Sequence, residues 1–227
     1  MILSPWRYLV LPLLLLLALF VLFDYCGWDL YCSDLFYFPA HGGWIYKHSW
    51  WAENLLHKGG RFFIVAITAI SLVIIAESFS ATSQLKGYRR AALYLVLVIA
   101  LSTGIVALGK SGINRNCPWG YSRYGGVATY TPLLSAHPFS TAGRGHGFPA
   151  GHAAGGFSLV AFYFILREYA PRYATAGLVA AISIGTFFTF CQLVRGAHFI
   201  SHSIVSLMIC WLVSVLVYVF LFNGQLR

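Results

Sequence analysis

Three histidines and three basic residues stand at the ends of apolar runs, where ionisable groups are costly to keep without a use. The stretch "GKSGINRNCPW" carries Lys110 and Arg115, "FPAGHAAGGF" carries Gly151 and His152, and "QLVRGAHFISHS" carries Arg195, His198 and His202. Lysine and arginine balance the charge of a phosphate and donate hydrogen bonds to its oxygens. A glycine-rich turn entering a helix adds free backbone N–H groups and the positive helix end. Two histidines supply the nucleophile and the general acid that phosphoryl transfer still needs. His198 and His202 are four apart, so on a helix they share a face, and His202 can orient His198 through its second ring nitrogen.

Each signal also has a plainer explanation. A histidine at a membrane interface is often structural, and a lysine at a helix end usually reaches for the head groups. Gly155 and Gly156 suit close helix packing. A zinc site is the competing chemistry, since His198 and His202 at i, i+4 have compatible spacing and His152 could be a third ligand. No aspartate or glutamate stands near these histidines in sequence, and the neighbouring cations would repel a metal. No metal and no cofactor is therefore expected. His146 receives no role.

These residues can meet only if the right helix ends share a membrane face. Apolar runs fall at about 6–23, 62–80, 91–109, 152–168, 174–194 and 203–222. Each is near the roughly 20 residues that cross a bilayer. They are continuous rather than alternating, so helices are expected instead of a barrel. With six spans, the end of span 3, the start of span 4, the end of span 5 and the start of span 6 lie on one face, and all six candidate residues lie there. The fold class is an all-α membrane protein, a six-transmembrane-helix bundle forming a single domain over 1–227. Arg7 before a leucine run resembles a secretory leader, but Phe23, Asp24 and Tyr25 offer no small-residue cleavage site, so a retained first span is expected.

Composition agrees. The chain is 59% hydrophobic and 9% charged, where a soluble domain is about half apolar and about a quarter charged. Its net charge of +9 sits in short loops, which favours membrane lipids and anionic substrates as partners over nucleic acid. No protein partner is indicated. The basic loops "QLKGYRR" and "REYAPRY" place the N-terminus inside, and the charges counted across the two faces include Arg144 and Arg227. The loop at 24–61 carries Trp28, Trp44, Trp50 and Trp51 and is expected to be interfacial, with "WIYKHSWWAENLLHK" as an amphipathic helix on the membrane. Cys26 and Cys32 flank "GWDLY"; a disulfide between them stays open, should that loop face an oxidising compartment.

The order Lys…Pro, then Pro-x-Gly-His, then a block with His just before the last span, resembles the type 2 phosphatidic acid phosphatase family, relatives of the vanadium haloperoxidases. The resemblance covers about 91–222. The family's first block is Lys-x6-Arg-Pro; Lys110 and Pro118 match, Cys117 holds the arginine position, and Arg115 lies two residues earlier. In the second block Pro149, Gly151 and His152 match, with Ala150 in place of serine. In the third, His198 matches, Cys191 and Gln192 replace Ser-Arg, and His202 replaces the aspartate. Arg195 lies near one helical turn after Gln192.

The resemblance implies a metal-independent phosphatase of the bacterial inner membrane, multi-pass, with its active site facing the periplasm and a lipid phosphate or diphosphate as substrate. It implies that His198 attacks phosphorus and forms a phosphohistidine. His152 protonates the leaving oxygen and then activates water, while Lys110, Arg115, Arg195 and the Gly151 backbone hold the phosphate. A lipid phosphotransferase and a catalytically silent binder of anionic lipid are the alternatives.

Overall fold

The computed structural model describes residues 2–135, 145–222 and 225–226. Arg144 and Arg227 lie outside the described residues. The fold is all-helical: α1 (Leu11–Asp24), α2 (Trp28–Asp34), α3 (Gly59–Glu77), α4 (Arg89–Gly112), α5 (Gly151–Phe157), α6 (Ala161–Tyr169), α7 (Ala174–Val194) and α8 (Ile200–Phe222). Among the described residues, five helical stretches are long and apolar enough to cross a membrane: Trp6–Asp24, Trp51–Glu77, Gln84–Gly112, Pro171–Val194 and Ile200–Phe222.

The run expected at 152–168 is not one of the five. It is divided into α5 and α6 by a tight 3-10 turn, Ser158–Val160. Gly155 and Gly156 weaken the helix there, and the Ser158 hydroxyl donates to the Gly155 carbonyl at 2.7 Å. The same glycines allow close packing. A Cβ on Gly156 would stand 2.8 Å from the Gly185 Cα, and one on Gly185 would stand 2.0 Å from the Phe157 ring, so α5 and α7 meet backbone to backbone.

The core lies between α4, α5, α6, α7 and α8, with Tyr94, Val98, Phe157, Phe164, Cys210 and Tyr218 buried in it. Tyr94 sits in this apolar centre because its hydroxyl has a partner, the Ser214 carbonyl at 2.8 Å. Helix α1 packs on α8, where the Trp211 indole donates to the Tyr8 carbonyl at 2.7 Å. Leu14, Leu15, Phe62, Ile70, Val73, Val179 and Phe220 face outward. An apolar exterior of this extent is what a lipid environment requires.

The aromatic segment before α3 is folded. Trp44 is buried with Tyr121, Tyr124 and Phe199, while Trp28 and Trp50 are exposed. Trp44 lies against the turn between α7 and α8 at Gly196, whose φ is +69° and whose Cβ would be 2.4 Å from the indole. Arg123 pairs with Asp34 at 2.5 Å across this cap. Trp51–Lys58 is not a separate helix on the surface; it is a wide-turn segment that runs directly into α3 as one rod. Cys26 and Cys32 carry separate thiols.

Candidate active site

Backbone and hydroxyl contacts gather three chain segments at one end of the bundle. The Ala150 N–H donates to the His202 carbonyl at 3.2 Å, and the Ser206 hydroxyl lies 3.0 Å from both the Ala150 and His202 carbonyls. The start of α5 is thereby tied to the first turn of α8. The segment after α4 joins through a parallel bridge between Arg115 and His146 and the Gly147 N–H, which donates to the Arg115 carbonyl at 2.6 Å. His146 thus gains a role: its Nδ1 lies 3.1 Å from the Lys110 carbonyl and joins the end of α4 to the loop before α5. Asp29 of α2 caps α8, accepting from the Ser201 N–H at 3.0 Å. Burial pushes its carboxyl up to about 6.

Lys110 stands in the last turn of α4, half-buried. Its Nζ would be 3.5 Å from a Cβ on Gly151, so the ammonium and the open α5 amides share one spot. His198 lies in the turn between α7 and α8, 7% exposed. Burial first, and then the Lys110 ammonium, lower its pKa to about 3 against the opposing pull of the Gly147 backbone. The ring is therefore neutral at ordinary pH, the form in which imidazole is a nucleophile. His152 opens α5 and stacks on Phe188, centroids 4.4 Å apart at 18°.

Other expected residues are placed differently. His202 is fully buried among Phe148, Phe199 and His198, with its ring 5.8 Å from His198 at 70°. It meets His198 by ring packing, with the Gly147 backbone as its polar neighbour, and not through the expected nitrogen contact. Arg115 is held in a buried ion pair. It is 1% exposed and paired with Asp24 at 3.3 Å, and it also donates to the Thr131 carbonyl. The Asp24 carboxylate in turn accepts from the Leu133 N–H at 2.7 Å. Arg115 thus pins the loop after α4 to the end of α1. Arg195 caps α7, and its Nε donates to the Lys47 carbonyl at 3.2 Å. It lines a cleft with His57, Lys58 and Arg61. Cys117 holds a thiol pushed up to about 11 by burial, against the pull of Lys110.

His57 is the residue that sequence reasoning missed. Its ring lies 4.6 Å from that of His152, and its Nδ1 is 2.8 Å from the Gln192 amide nitrogen. A buried glutamine in an otherwise apolar helix was the one available signal, because such a group needs a partner. His57, Arg61, Gly151, His152 and Phe188 form the mouth of a groove of about 600 Å³. Beyond the mouth the groove is walled by Ile64, Val65, Ala69, Leu72 and Ile99.

A multi-pass helical membrane protein with a neutral histidine, a lysine and helix-start amides at one end of its bundle is arranged to handle a phosphate. Residues 91–225 match the family model of the PAP2 superfamily, and the chain belongs to that superfamily. Membership supports a phosphoric ester hydrolase. No curated protein and no solved structure matches the chain.

Proposed function

We propose that the protein is an integral membrane phosphatase that hydrolyses a lipid phosphate or lipid diphosphate through a phosphohistidine intermediate. The observation that carries this reading is the gathering of Lys110 and neutral His198 beside Gly151 and His152, two residues that line an apolar groove. His198 attacks phosphorus, forming a P–N bond as the P–O bond to the leaving group breaks. His152 gives its proton to the leaving oxygen, then takes one from the water that cleaves the P–N bond. Lys110, Arg195 and the Gly151 N–H balance the charge on the phosphoryl oxygens. His202 holds the His198 ring by packing. The cations of the site disfavour a divalent metal, and the reaction as written needs none.

The groove supports a lipid substrate, since its walls suit an acyl or prenyl chain and its mouth suits a phosphate. Six crossings are part of the proposal, with α5 and α6 together making the fourth. Support comes from Ile2–Leu3, which pairs with Gln225–Leu226; chain ends that meet on one face require an even number of crossings. The basic inner loops then put the site at the outer face of a bacterial inner membrane, with exposed Trp28 and Trp50 at the interface.

The test is phosphate release from phosphatidic acid, phosphatidylglycerol phosphate and undecaprenyl diphosphate by purified protein in detergent with chelator. Release that is abolished in His198→Ala is expected. No release from any of the three, or release unaffected by His198→Ala, refutes the reading. Label that ends on a second lipid instead of in solution identifies a phosphotransferase.

A further inference from the structure

We infer that His57 is a phosphate-binding residue of this site, supplied from outside the family-matched region and held ready by Gln192. The inference rests on the phosphatase reading. Gln192 occupies the position where the resemblance places an arginine. It is 2% exposed, and its neutral amide brings no cation to a phosphate. Its amide instead donates to His57 Nδ1 at 2.8 Å. A nitrogen that accepts a hydrogen bond carries no proton, so the neutral ring keeps its proton on Nε2 and is a donor there.

The place of that donor is what makes it useful. His57 lies 4.6 Å from the His152 ring, lines the groove with Gly151 and His152, and lines the adjoining cleft with Arg195 and Arg61. Arg195, Arg61, Glu53 and Lys110 are the charges acting on it. In this assignment the imidazole N–H donates to the anion that Lys110 and Arg195 attract. The pair Gln192–His57 does in two side chains what one arginine does elsewhere: a buried anchor on α7 and a donor at the phosphate. Residues 51–58 join the site through this contact, although the family match begins at residue 91.

Four proteins decide it: wild type, His57→Ala, His57→Ala with Gln192→Arg, and His198→Ala. Each is assayed for kcat, KM and orthovanadate inhibition with a lipid phosphate in detergent, after its elution profile confirms a folded particle. His57→Ala should lower kcat/KM by roughly 100-fold, as for a lost oxyanion donor, and should weaken orthovanadate inhibition in parallel. Gln192→Arg in that background should recover at least about tenfold, because a guanidinium supplies the missing donor. A His57→Ala rate close to wild type, with His198→Ala dead, overturns the inference and leaves the phosphatase reading standing. A loss in His57→Ala with unchanged orthovanadate inhibition and no recovery assigns His57 a packing role and also overturns it. An inactive wild type removes both.

Discussion

Replacing Arg115 separates two roles that the sequence alone leaves together. A phosphate clamp at this position would lose catalysis and keep the fold. The structure pairs Arg115 with Asp24, both side chains 1% exposed, at 3.3 Å. Removing one partner of such a pair leaves an uncompensated buried charge and costs about 3–5 kcal/mol. For a chain of this length each kcal/mol moves Tm by about 2–4 °C, so Arg115→Ala should lower Tm by roughly 6–20 °C. The loss includes the contact to the Thr131 carbonyl, which frees the loop after α4. The double variant Arg115→Met with Asp24→Asn should regain most of the loss, because it removes both charges and keeps an acceptor for the Leu133 N–H. The assay is thermal unfolding in detergent, run beside phosphate release. A Tm within about 2 °C of wild type, together with collapsed phosphate release, would refute the pinning role and restore Arg115 to the phosphate.

Two further outcomes follow from the geometry. A Cβ on Gly60 would stand 2.7 Å from the Phe188 ring and 3.0 Å from His152. Gly60→Val should therefore displace the His152 ring and lower kcat by about tenfold or more; an unchanged kcat would show that the ring tolerates the shift. The second concerns acid. His198 has its pKa lowered from 6.5 to about 3 in the fold. Between these values the unfolded chain takes up a proton at this ring that the folded chain refuses. Stability from this group is thus intact above 6.5 and falls as pH falls, by up to about 1.4 kcal/mol per pH unit. Wild type should lose more Tm than His198→Asn on going from about pH 7 to about pH 5, and equal losses would contradict the buried neutral state.

Much of the bundle was legible because its signals are local. Continuous apolar runs mark α1, α3, α4, α7 and α8 within a few residues. The region 152–168 was legible as apolar, but not as divided, because Gly155 and Gly156 read equally well as a packing device inside one unbroken helix. The membrane-lying helix expected at "WIYKHSWWAENLLHK" failed for a similar reason. Its residues 51–58 are drawn up against α7 by the His57–Gln192 contact, which no pattern within the segment reveals.

The candidate site divides the same way. Lys110, Gly151, His152 and His198 were legible because helix order alone sends their chain ends to one face. The positions of Arg115 and His57 were not, because each depends on a partner far away in sequence: Asp24, 91 residues away, and Gln192, 135 residues away. Sequence by itself determined an all-helical membrane chain of this superfamily with a basic, histidine-bearing end, since apolar length and motif order are one-dimensional properties. Only the tertiary structure decided which cation stands beside the Gly151 amides and which neutralises a buried carboxylate. A guanidinium serves a phosphate or a carboxylate equally well, and the fold settles the matter by burying Asp24 beside Arg115.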